Sequence, residues 1–240
     1  STINTAGYAL TLSGGIAGAG TLNIVGGNTV FLRGANTYSG GTVINGTTVN
    51  IVSDANLGNP GSPLTLNGGT LQIGADVSSS RPITLAAGGG TFDTNGYSLT
   101  LGGTISGSGA LTKTGEGTLF LRGENTYTGG TRIYGGIVNI VSDGNLGDPS
   151  GGVIMDGGTL QLSASVTSGR TFTMQNKGGT FDTNGNDLTL TGTIDGDGSL
   201  TKAGAGTLLL RGNNVYAGGT HLNGGVVNIV SDANLGAPSG

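Results

Sequence analysis

His221 is the single histidine of this 240-residue chain, so any imidazole-based acid–base or metal chemistry would have to run through it. Arg132 stands at its place one repeat earlier and Val43 before that, the tolerance of an outward surface position rather than of a catalytic base. Asp195 and Asp197 in IDGDG resemble the start of a calcium loop, yet the matching positions hold Ala17 and Ala19, then Ser106 and Ser108. Their spacing fits neither an EF-hand nor a nonapeptide calcium repeat, and no metal site is expected. Asp93 and Asp182 recur within FDTNG, where turn-forming aspartate accounts for them. A polysaccharide-active β-helix enzyme, the alternative reading, would gather carboxylates in one cleft, whereas the 13 acidic residues are scattered along the chain. Cysteine is absent, which removes thiol nucleophiles, thiolate metal sites and disulfides. No catalytic residue and no cofactor is expected.

Other recurring residues suggest contacts rather than chemistry. Arg33, Arg122 and Arg211 close three Leu-Arg-Gly segments, and Asp54, Asp143 and Asp232 each follow 21 residues later, about one coil on. Inter-coil ion pairs Arg33–Asp54, Arg122–Asp143 and Arg211–Asp232 are the expectation, each worth about 0 to 1 kcal/mol if exposed. Phe31, Phe120 and Leu209 hold the outward place of apolar triplets and would form a stripe for lateral association. Tyr38, Tyr127 and Tyr216 follow Asn-Thr or Asn-Val at a corner. Packing under a turn is the expected role, against an aromatic contact for a sugar or partner.

The elements that must position these residues follow from composition and period. Glycine fills 53 positions and charged residues only 9%, without the Gly-X-Y period of collagen, so something periodic must bury the surface. The segments IAGAG at Ile16, ISGSG at Ile105 and IDGDG at Ile194 stand 89 residues apart, and Phe92 and Phe181 each open FDTNG one period apart. Residues 1–15 form a partial repeat, 16–104 and 105–193 two full units, and 194–240 a partial unit of one continuous domain. Within a unit, triplets of apolar-x-apolar type begin at Leu119, Val138, Leu160, Phe181 and Leu208, at steps of 19, 22, 21 and 27. Strands of period two separated by GG, NG and DG turns, recurring at such steps, predict an all-β solenoid in which like positions stack about 4.8 Å apart. The expected coil has about 22 residues, with four coils per unit and about 11 in all. Leu119, Val138, Leu160 and Phe181 would form one inward column, and Phe120, Asn139, Gln161 and Asp182 a mixed outward one.

Residues 107–147, GSGALTKTGEGTLFLRGENTYTGGTRIYGGIVNIVSDGNLG, closely resemble the autotransporter-associated β-strand repeat of type V secretion passenger domains. The likeness rests on LTKTGEGTL (111–119), GENTYTGGT (123–131) and the closing NLG (145–147), with copies at 22–58 and 200–236. The first copy departs from it, reading LNIVGGNTV where the others read LTKTGEGTL and LTKAGAGTL. The resemblance implies a right-handed parallel β-helix, exported and displayed at the bacterial cell surface or released. It implies a non-catalytic structural or adhesive role, with the chain itself or surface glycans and proteins as partners and self-association or fibre formation as a further expectation. A net charge of -4 argues against nucleic acid, and no apolar run approaches the roughly 18 to 20 residues of a membrane span. No cap sequence is recognisable at either end, so an excerpt of a longer rod, or a stacking subunit, is expected.

Overall fold

The computed structural model describes residues 1–237; Gly240, whose place in the unit corresponds to Ser62, lies outside the described residues. The described chain consists of 28 short strands and three 3-10 turns, coiled into a β-solenoid of about eleven turns. All strand pairing within the sheets is parallel, and partners lie about one coil apart in sequence: Phe31 pairs with Asn50, Asn50 with Gln72, Gln72 with Asp93 and Asp93 with Thr114. The coil has three sides. A ten-stranded sheet forms the second side and an eight-stranded sheet the third, while six-stranded and four-stranded sheets occupy the two ends of the first. Corner loops bridge the gap between those two sheets, with Thr126 N bonding to Ile105 O and Asn125 N to Gly144 O.

Alternation of apolar and small polar residues puts every second side chain inside, where it stacks on its counterparts above and below. The column Leu119, Val138, Leu160, Phe181 forms as expected, and all four are 0–1% exposed. A sister column on the second side runs Val30, Val49, Leu71, Phe92, Lys113, Ile133, Met155, Met174. Phe172 and Phe181 meet edge to face across the interior, with ring centroids 5.2 Å apart.

The expectation of four coils per unit needs correction. Phe181 stacks on Lys202, not on Leu208, which pairs instead with Leu188 on the first side. From strand Leu22–Val25 to its counterpart Leu111–Thr114 the chain lays down thirteen sides, counting the two corner loops, which is four turns and one side. The 27-residue step was therefore a coil plus part of the next side. Successive units are rotated by one side: the first corner loop stacks on the third side, the second on the first side and the third on the second side.

These corners explain the motif residues. Asn36 accepts from Ile16 N at 2.7 Å and donates to Asn56 O at 2.6 Å, so one buried amide ties three successive coils. Asn56 accepts from Val52 N and Ser53 N and donates to Gly34 O, capping the 3-10 turn Asp54–Leu57. Beside them the Tyr38 hydroxyl meets Thr42 at 2.6 Å. Asn125, Tyr127, Thr131 and Asn145 repeat the arrangement, as do Asn214, Tyr216, Thr220 and Asn234. The glycine of NLG is dictated by this packing. Gly147 has φ +87°, and a Cβ there would lie 2.6 Å from Tyr127 O and 2.8 Å from its ring. Gly147→Ala is accordingly expected to destabilise the rod by about 2 kcal/mol or more, read as a lower denaturant midpoint, whereas Gly135→Ala, with only loose neighbours, is expected to cost far less.

Candidate functional site

The outward columns carry a recurring set of polar side chains. On the second side the Arg33 guanidinium lies 5.2 Å from the centroid of the Phe31 ring and donates to Asn50 O and Oδ1 at 3.0 and 2.6 Å. Asn50 Nδ2 donates to Gln72 Oε1 at 2.8 Å, and Gln72 Nε2 to Asp93 Oδ2 at 2.7 Å. A chain of hydrogen bonds thus runs from a cation to an anion across successive coils. On the third side Arg122, 5.1 Å from Phe120, begins the same ladder through Asn139, Gln161 and Asp182. Arg211 with Asn228 starts it again on the first side. The outward column read from the sequence, Phe120, Asn139, Gln161 and Asp182, is present, and its three polar members are hydrogen-bonded in series.

Two expectations do not survive this geometry. Phe31, Phe120 and Leu209 form no common stripe: Phe31 stacks between Thr11 and Asn50, Phe120 between Thr100 and Asn139, and Leu209 between Thr189 and Asn228, on three different sides. The extra side in each unit separates them. The ion pairs Arg33–Asp54 and Arg122–Asp143 are likewise replaced, because the local step at these arginines is 17 to 19 residues and brings asparagine, not aspartate, alongside. Asp54 instead meets Arg81, with Nε to Oδ1 at 2.8 Å and Nη2 to Oδ2 at 2.9 Å, and Asp143 meets Arg170 at 2.9 Å. Asp232 has no arginine within ion-pair distance among the described residues, and Arg211 bonds Asn228.

Arg81 and Arg170 were missed by the sequence reading. Both are buried, and their remaining donors satisfy carbonyls of the corner, including Leu57 and Ser62 in one case and Gly147 and Gly151 in the other. Recurrence of an arginine at 89 residues in a chain so poor in charge was the available signal. Lys113 and Lys202 were missed too, though their parity with Leu111 and Leu200 places them inside. The Lys113 ammonium donates to the carbonyls of Thr114, Gly115 and Gly135 at 2.8, 2.6 and 3.2 Å, filling one corner as Lys202 fills the next. Burial pushes the Lys113 pKa down to about 8, against the upward pull of Asp93 and Glu116, and lowers that of Lys202.

His221 lies exposed in the outward register with Thr201. Tyr38, Tyr127 and Tyr216 are buried under their corners, which makes them packing residues rather than ligand contacts. Asp93 and Asp182, each the end of a ladder, sit on different sides. Asp195 keeps one buried carboxylate oxygen without a partner, and no three His, Cys, Asp or Glu residues converge among the described residues.

Two tests follow from this arrangement. Removing Asp143 strands the buried Arg170 cation, so Asp143→Ala is expected to cost on the order of 3 kcal/mol, while Arg122→Ala on the outward ladder costs about 1 kcal/mol, both by chemical denaturation; equal costs would contradict the assignment. The lysine gives a pH signature. With a folded pKa of about 8 against 10.5 for the free side chain, the unfolded chain holds more protons between those values, and stability rises with pH across that window. Above about pH 10 the buried tyrosine hydroxyls, whose pKa burial raises, reverse the trend. The thermal midpoint is expected to climb above pH 8 and then fall, and Lys113→Ile, which copies Ile24 of the first unit, to flatten the climb.

The passenger-associated-transport-repeat family model matches residues 17–51, 111–140 and 200–229, together less than half of the chain. Each match covers four strands and the first of the corner loops. The Adhesin BmaC autotransporter of Brucella suis biovar 1 (strain 1330) is 40% identical over 117 residues, which is 48% of this chain. The matched stretch spans only 3% of that relative's length. No solved structure matches significantly. Three stretches of this chain thus match the passenger-associated transport repeat, each folded as four strands around an asparagine-held corner.

Proposed function

We propose that the chain is a non-catalytic, adhesive stretch of an autotransporter-like passenger, displayed at the bacterial surface as a rigid rod. The observation that carries this reading is how the polar side chains are used. Five of the six arginines and two of the three lysines hydrogen-bond to neighbouring coils or carry ion pairs between them, and no three His, Cys, Asp or Glu residues converge among the described residues. The adhesin name of the relative supports the same reading. Self-association belongs to this proposal as well, though without a single apolar stripe to drive it, since equivalent outward positions face three directions. No helix among the described residues is long and apolar enough to cross a membrane.

Displaying residues 1–240 on a non-adherent bacterium through a carrier barrel tests the proposal. Adhesion to host cells or to sister bacteria is expected to exceed that of the carrier alone, and the purified chain to release no reducing sugar from polysaccharides. Sugar release, or adhesion no greater than the carrier's, would contradict it.

A further inference from the structure

Arg132 is the one arginine of the six with neither a hydrogen bond nor an ion pair among the described residues. It stands at the outward position of strand Thr131–Ile133, half-buried, in register with Ile154 and through it with Thr173. In this part of the second side a groove of about 290 Å³ opens, lined by Arg132 with the hydroxyl-bearing residues Thr128, Ser150, Thr171 and Thr173 and with Gly152 among others.

The first unit supplies an internal comparison. There Val43 stands for Arg132, Pro63 for Gly152 and Pro82 for Thr171. A Cβ on Gly41 would meet the Pro63 ring at 2.9 Å, whereas a Cβ on the matching Gly130 would meet only the backbone of Gly152. The proline ring of one unit is thus open space in the next, and the same exchange brings in a cation. Three coordinated differences separate a filled, uncharged surface from an open one carrying an unpaired guanidinium.

We propose that this groove binds a saccharide residue bearing a single carboxylate, a uronic or sialic acid, with the carboxylate on the Arg132 fork and the sugar hydroxyls along the threonines. A guanidinium pairs with a carboxylate through two parallel hydrogen bonds, and hydroxyl-lined ground suits a neutral polyol face. Polyanions fit poorly: the chain carries net charge -4, and Asp148 sits on the adjoining loop, accepting from Ser150 N and Oγ at 2.9 and 2.6 Å. The inference deepens the adhesive reading and rests on it, since it names the class of ligand that such a rod would grip.

The test is titration of the purified chain, by NMR or calorimetry, with the methyl glycoside of galacturonic acid and 3′-sialyllactose as the two singly charged acidic probes and lactose and maltotriose as neutral controls. Saturable binding of at least one acidic probe is expected, and which one binds identifies the source. Arg132→Val, a residue that position already carries in the first unit, is expected to weaken that binding about tenfold or more without altering the circular dichroism. Gly152→Pro, refilling the groove, is expected to weaken it independently. Failure of both acidic probes, equal binding of the neutral sugars, or unchanged affinity in Arg132→Val would overturn the groove. Adhesion by the displayed chain that survives Arg132→Val while neither acidic probe binds would sink the groove and spare the adhesive reading; acidic-sugar binding without any adhesion would sink the adhesive reading alone.

Discussion

In a parallel coil each strand bonds only to the strand about 21 residues before it and the one about 21 after it, as Asp93 does with Gln72 and Thr114. Every side chain then has the same two neighbours in kind, and whatever is placed inside must be compatible with a whole column. Apolar residues meet that demand by stacking. A polar group meets it only if it can return to the backbone of its own or an adjacent coil, because a buried donor left without a partner costs several times what a made bond contributes. Asparagine at the corners, lysine beneath the turns and arginine under the long loop are three solutions to this one constraint.

The same register governs what the surface can offer. A unit of four turns and one side cannot present an identical residue along one face, so Phe31, Phe120 and Leu209 look in three directions. Consecutive units display their outward ladders around the rod, and three units return the pattern to its starting side. A partner that recognises a unit would find it on every side of a longer rod, at intervals of about 21 Å along the axis given a 4.8 Å rise per coil. Changes within one unit, such as the exchange of Pro63, Pro82 and Val43 for Gly152, Thr171 and Arg132, give one side a character of its own without disturbing the stack.

The strands, their inward parity and the steps of 19, 22 and 21 residues were legible in the sequence because alternation and glycine turns are local signals. The column from Leu119 to Phe181 could be written down from them. The rotation between units was not legible. A strand on the next side has the same apolar-x-apolar look as one on the next coil, so Leu208 passed for a neighbour of Phe181 when it stacks on Leu188. The ion pairs failed for a related reason: a spacing of 21 matches the mean coil, while contacts at Arg33 depend on the local step. Buried Lys113 and Arg81 obeyed parity and period but broke the expectation that charge lies outside, and only the carbonyls around them explain their place.

The rotation by one side per unit is the claim on which the display geometry rests, and paired cysteines test it most directly. Asp182 and Ala203 are register partners on the third side, whereas Leu209, the partner that a unit of four whole turns would require, lies on the first. Oxidation of the Asp182→Cys, Ala203→Cys variant is expected to give an intramolecular disulfide, and the Asp182→Cys, Leu209→Cys variant to stay reduced under the same conditions. Ready closure of the second pair, with the first remaining open, would contradict the account.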